Sequence, residues 1–182
     1  MWTTTERATT ISLSPPSTPR LRLQPRPPPG RPRTPLDGAW WPRSTDPAAE
    51  LPGLILALQA GTHHAVHGPI AHIMLRVAGW TSRPRRLRVD GPADTRVVRL
   101  SWFDTLPVGL VTAIWADGRR VDLLTIPPGT DPDAAAAGLD LAAHPANHLR
   151  APALLAALTP PDQAVSENTW ETEGGRLREP AL

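Results

Sequence analysis

Three groups of residues in this chain have the types and spacing to do chemistry. His63, His64 and His67, followed by His72, could supply imidazoles to zinc, nickel or copper. Arg83, Arg85, Arg86 and Arg88 stand close in sequence to Trp80. Guanidinium beside indole is a combination that binds phosphate or carboxylate and stacks on a base. Trp40 and Trp41 are adjacent and lead into Pro42 and Arg43. Each indole buries a large apolar area while its N–H still needs an acceptor, so such a pair either closes a core or forms a recognition surface.

Each group also has a plainer reading. Gly61 and Gly68-Pro69 bracket the histidines as a loop, and no Asp or Glu lies near them to orient a ligating imidazole. His144 and His148 are separated by Pro145, which argues against one helical face. Arg86 and Arg88 alternate with Leu87 and Val89, as the wet face of a half-buried strand does. Among the carboxylates, Asp37 precedes Gly38, which is turn chemistry, and Asp122 lies between Val121 and Leu123, where an arginine across a hairpin is its expected partner. Asp104 completes that set. The chain has no Gly-x-Ser-x-Gly elbow, phosphate-cradling Gly-x-x-x-x-Gly-Lys loop, dinucleotide fingerprint or His-Glu-x-x-His motif.

Composition narrows the classes further. The chain has 182 residues and no cysteine, which excludes disulfides, thiolate catalysis and cysteine-ligated zinc. An isoelectric point of 10.7 suggests nucleic acid, yet all the basic side chains are arginine and the net charge is only +2. Without lysine or tyrosine, nothing titrates that small charge away near pH 10, and arginine excess fits a GC-rich coding genome. The charge is unevenly spread: residues 1–43 carry seven arginines against Glu6 and Asp37, and residues 159–182 carry five acids against Arg176 and Arg178. No apolar run approaches the ~20 residues of a membrane span. The Thr/Ser/Pro-rich start also lacks the layout of a secretion signal, so a cytoplasmic protein is expected.

The elements that must position these residues follow from periodicity. Residues 1–19 and 159–182 read as disordered tails around a single domain over 20–158. Leu21 and Leu23 mark a short strand, and Arg20 to Arg33 reads as an extended, proline-punctuated basic linker. A turn over Asp46–Glu50 is expected to precede a helix from about Leu51 to Ala60, because Pro52 lacks an N–H. Alternation at Ile73/Leu75, Leu87/Val89 and Val98/Leu100/Trp102 predicts strands. Asp117-Gly118 predicts a hairpin between Leu110–Ala116 and Arg119–Ile126. Asp131-Pro132 predicts a helix to about Ala143, with a short one over Pro152–Leu158. The expected fold is α+β: a curled antiparallel sheet of about five to six strands, with two or three helices on one face and no βαβ alternation.

Several blocks together resemble an actinobacterial family of unknown function, numbered 5994 among such families. They are Leu36–Arg43 (LDGAWWPR), Asp46–Leu58, Gly68–Ala78, Arg83–Leu87, Val98–Phe103 (VRLSWF) and Ala116–Pro128 (ADGRRVDLLTIPP). They span roughly residues 20–143. The resemblance implies one domain and supplies no activity.

With tyrosine absent and Phe103 the sole phenylalanine, most of the tryptophans must fill the core. Of Trp40 and Trp41, one ring is expected to be buried and the other partly exposed beside Arg43. The leading expectation is therefore a non-enzymatic domain binding a protein partner or small ligand through Trp40, Trp41 and Arg43, with no cofactor. The second is a nucleic-acid-associated protein using Trp80, Arg83, Arg85, Arg86 and Arg88. The third is metal-dependent activity at His63, His64 and His67.

Overall fold

The computed structural model describes residues 10–11, 16–25, 34–61, 68–91 and 94–158. Its strands are β1 (Thr10–Ile11), β2 (Arg20–Leu23), β3 (Gly38–Trp41), β4 (Ile70–Arg76), β5 (Arg86–Asp90), β6 (Thr95–Phe103), β7 (Leu110–Trp115) and β8 (Arg120–Thr125). The helices are α1 (Pro47–Gly61), α2 (Pro132–Ala142) and α3 (Ala151–Leu158). All the strands join one open sheet in the order β1-β5-β6-β4-β7-β8-β3-β2.

That sheet is mixed, with more strands than the periodicity predicts. The pairs β1·β5, β3·β8 and β4·β6 are parallel. The pairs β2·β3, β4·β7, β5·β6 and β7·β8 are antiparallel. Following the pairings across, β3 runs the same way as β4, so β3–α1–β4 is a βαβ crossover with β7 and β8 inserted between its strands. Alternation reports which residues face the core. It does not report which strand lies alongside, and short intervening segments give no hint that two of them cross over.

The helices also divide between the faces instead of sharing one. α1 packs on the first face, where Leu51, Leu54, Ile55 and Leu58 meet Trp40, Ile73, Leu75, Leu87, Val98 and Leu100. α2 and α3 cover the second face over β3 and β8, meeting Leu36, Ala39, Leu124 and Ile126. Leu123 and Leu124 are both buried, as are Ala39 and Trp40, since those two strands are covered on both sides. β5 and β6 instead alternate, with Arg86, Arg88, Val97 and Arg99 exposed, so their second face is bare.

Local chemistry accounts for the element ends. Asp46 accepts from the Ala48 N–H at 3.0 Å, and Pro47 stands at the first helical position, where its missing N–H costs nothing. The expected separate turn over Asp46–Glu50 does not form, and α1 is one helix from Pro47 through Pro52. Burying each of its large side chains contributes roughly 1.5–3 kcal/mol, which together exceeds the ~3 kcal/mol cost of an interior proline. Asp131 caps α2 by accepting from the Asp133 and Ala134 N–H groups at 3.0 and 3.1 Å. Gly118, at φ 85°, closes the β7–β8 hairpin. Asp37-Gly38 opens a strand, not a turn, and a Cβ on Gly38 would lie 2.2 Å from the Arg22 carbonyl oxygen.

The expected N-terminal tail is structured in part: Thr10 and Ile11 pair with Leu87 and Arg88. The rest of the basic linker beyond Pro25 and the C-terminal segment lie outside the described residues.

Candidate functional site

The tryptophan pair faces opposite sides of the sheet, as neighbours on a strand must. Trp40 is fully buried, and its ring stacks on Trp80 at 5.9 Å with 19° between planes. Trp80 meets Trp102 edge-on at 6.4 Å, and the Trp102 indole donates to the Pro84 carbonyl at 2.8 Å. Trp41 is half-buried, and its N–H donates to the Pro127 carbonyl at 3.2 Å.

The arginine beside Trp41 is Arg20, not Arg43. Its guanidinium lies 3.4 Å from the Trp41 ring centroid. It also donates to the carbonyls of Trp41 and Pro42 at 3.0 and 2.7 Å. Burial, and then the neighbouring Arg43 charge, push the Arg20 guanidinium below the usual arginine range, while Glu50 pulls the other way. Arg43 turns toward the N-terminal segment, donating to Ser17 Oγ at 3.3 Å and the Thr18 carbonyl at 2.8 Å.

The contact partners of the two tryptophans, Trp80 and Pro127, line a cleft of about 410 Å³ at the carboxyl ends of β3, β4 and β8, where β7 begins. Trp80, backed by Trp40, forms one wall, and Pro127, tied to Trp41, helps form another. Leu75, Leu110, Val108 and Leu155 make the remainder largely apolar. Among the described residues, Arg76 is the one charged residue in the lining. Its guanidinium donates to the Leu106 carbonyl, and no carboxylate among the described residues forms an ion pair with it. Pockets of this size accommodate small molecules.

The arginines named from the sequence separate into two places. Arg83, Arg85 and Arg86 line an open groove of about 780 Å³, together with Arg99, Ser101, Trp102 and Phe103, and among the described residues no acid is in that lining. Arg88 instead pairs with Asp90 at 3.1 Å, and Trp80 belongs to the cleft. Asp90 sits below the usual carboxylate range because it accepts from Thr95 and from Arg88. Arg86 stands opposite Arg99 in the β5·β6 register, and His72 stands beside Arg99 in the β4·β6 register. The His72 Nε2 and Ser101 Oγ are 2.8 Å apart. Burial first, and the Arg99 charge second, lower the His72 pKa, favouring neutral imidazole.

The other candidates do not assemble into chemistry. His63, His64 and His67 lie outside the described residues. Among the described residues, no three His, Cys, Asp or Glu side chains are grouped to hold a metal ion. Asp37 Oδ2 accepts from the Asp122 N–H at 2.8 Å. Asp122 accepts from Thr112 Oγ1 at 2.5 Å and pairs with Arg120 at 3.0 Å. Arg120 lies on the same strand, not across the hairpin.

Sequence reasoning missed Arg76, Arg99 and Ser101. Arg99 was findable: matching Asp90 to Thr95 around the β5–β6 turn and counting outward sets Arg86 against Arg99. Ser101 meets His72 only through a parallel pairing that no local signal announces.

An open mixed sheet covered on both sides at one end and on one side at the other defines an α+β domain, and the cleft and the groove are concave surfaces of it. The chain belongs to a family of unknown function, DUF5994, whose model matches residues 20–142. No curated protein and no solved structure matches it. No helix among the described residues is long and apolar enough to cross a membrane.

Proposed function

We propose that this is a binding domain whose ligand is a small, mainly apolar molecule carrying one carboxylate or similar anionic group, held in the cleft beside Trp80. The observation that carries the reading is an apolar cleft with, among the described residues, a single charged one, Arg76, in its lining. The apolar body of such a ligand packs against Trp80, Leu75 and the prolines, and its anionic group meets the guanidinium. Arginine presents a planar fork that suits a carboxylate and does not exchange protons near neutrality, so this chemistry is recognition, not acid–base catalysis. On this reading Trp40 and Trp41 act one layer back, by setting the cleft walls.

Ligand-detected NMR with a panel of aromatic and short aliphatic carboxylic acids, each beside its methyl ester, tests the reading. Acids should bind, and their esters should bind more weakly. Ala78 is an exposed residue of the lining, so Ala78→Phe should plug the cleft without disturbing the core. Binding that survives this plug, or a panel without a single binder, would refute the proposal.

A further inference from the structure

The arginine groove lies on the bare face of β5 and β6, apart from the apolar cleft. We propose that it binds the phosphodiester strand of a single-stranded nucleic acid. Arg86 and Arg99 are directly opposed across the antiparallel β5·β6 pair, and like charges so placed destabilise a sheet. Neither has an acidic partner among the described residues. Arg88, one pleat away, has Asp90, so the fold does neutralise an arginine on this face where no groove lies. With no acid of the described residues against it, this pair is suited to an anion from outside.

The form of the groove favours a strand over a compact ion. Four arginines line an open concavity of about 780 Å³, too large and too shallow to enclose one phosphate. Successive phosphates along a chain can meet successive guanidiniums, each of which takes a phosphate through two parallel N–H donors. Ser101 adds a hydroxyl at the floor, in contact with His72. Phe103 supplies an aromatic ring, 39% exposed, at the end of β6. A base from a single strand can lie on such a ring, whereas a paired duplex keeps its bases stacked within itself. An acidic peptide would satisfy the guanidiniums but leave the ring without a stacking partner.

The test is fluorescence anisotropy of the full chain with labelled oligothymidylate and oligouridylate at low salt, with polyglutamate as competitor. Binding should weaken with salt at a log–log slope of roughly −0.7 per phosphate neutralised, so roughly −1.4 or steeper when Arg86 and Arg99 each engage one. Arg86→Glu with Arg99→Glu should weaken binding about tenfold or more, because two phosphate contacts become repulsive. Arg150→Glu, an exposed change outside the groove, should leave binding intact. Phe103→Ala should weaken oligonucleotide binding and leave polyglutamate unaffected.

Absence of oligonucleotide binding at low salt would overturn the proposal, as would binding indifferent to the double reversal. Polyglutamate competing as well as oligonucleotide would reassign the groove to acidic proteins. Because Ala78→Phe plugs the other cleft, each proposal can fail alone.

Discussion

The rings of Trp40 and Trp80 lie nearly parallel, 5.9 Å apart, one sealed in the core and the other forming a wall of the apolar cleft. A residue from β3 and one from the loop after β4 are thereby joined, and the same contact serves folding at one end and recognition at the other.

The two tryptophans should therefore separate in experiment. Trp40→Ala removes a fully buried indole and should cost about 3–5 kcal/mol, enough to unfold much of the population. Trp80→Ala, at a half-buried position, should leave a cooperative thermal transition while abolishing ligand binding in the cleft. Thermal unfolding and ligand-detected NMR on both variants check this. Equal loss of folding would show that Trp80 is core and nothing more.

How much of this was legible beforehand differed by element. Asp131-Pro132 and Asp117-Gly118 announce a helix start and a hairpin through local chemistry, and both form as expected. The exclusion of Trp102 from the wet face of β6 follows from alternation alone. The parallel β4·β6 pairing has no such signal, because it depends on a return path over residues 77–85. Two consecutive buried leucines, Leu123 and Leu124, did carry a clue that β8 is covered on both faces. The cleft could not be read, because it gathers the ends of β3, β4 and β8 with α3 from far apart in sequence.

Arg20 is the next point of test. It holds Trp41 by ring contact and two carbonyls at once. Arg20→Met should lower stability by about 1–2 kcal/mol, combining a cation–π contact with charge-assisted hydrogen bonds. Arg20→Lys should restore little, because an ammonium cannot lie flat on the ring while reaching two carbonyls. Urea denaturation of the three proteins measures it, and full rescue by lysine would mean that charge alone matters.

Arg99 gives a prediction in which stability and binding move in opposite directions. Arg99→Glu replaces a like-charge cross-strand pair with an opposite-charge pair facing Arg86. The fold should gain roughly 0.2–1 kcal/mol, visible as a higher melting temperature, while affinity for oligonucleotide falls. A lower melting temperature would show that Arg99 stabilises the sheet through its stem and is not kept for an external anion.

His72 makes the groove sensitive to acid. Its imidazole is held below the ordinary histidine pKa of about 6.5, by burial first and by Arg99 second. Arg99 and Ser101 stand on its β6 side, and Ile114 on its β7 side. Because the folded pKa is lowered, the unfolded chain binds the proton more readily. The contribution of His72 to stability is thus complete above the ordinary pKa and is lost as pH falls through the lowered one. A strand of phosphates laid against Arg99 offsets the second of those two causes, so the His72 pKa should rise and binding should take up protons at acid pH. Affinity should then increase as pH falls from the ordinary histidine range toward the lowered His72 pKa, and His72→Gln should flatten the increase without removing binding at neutral pH. Carbon-detected titration of the His72 ring, free and with oligothymidylate, reads the shift directly. A ring that titrates identically in both states would separate the histidine from the groove.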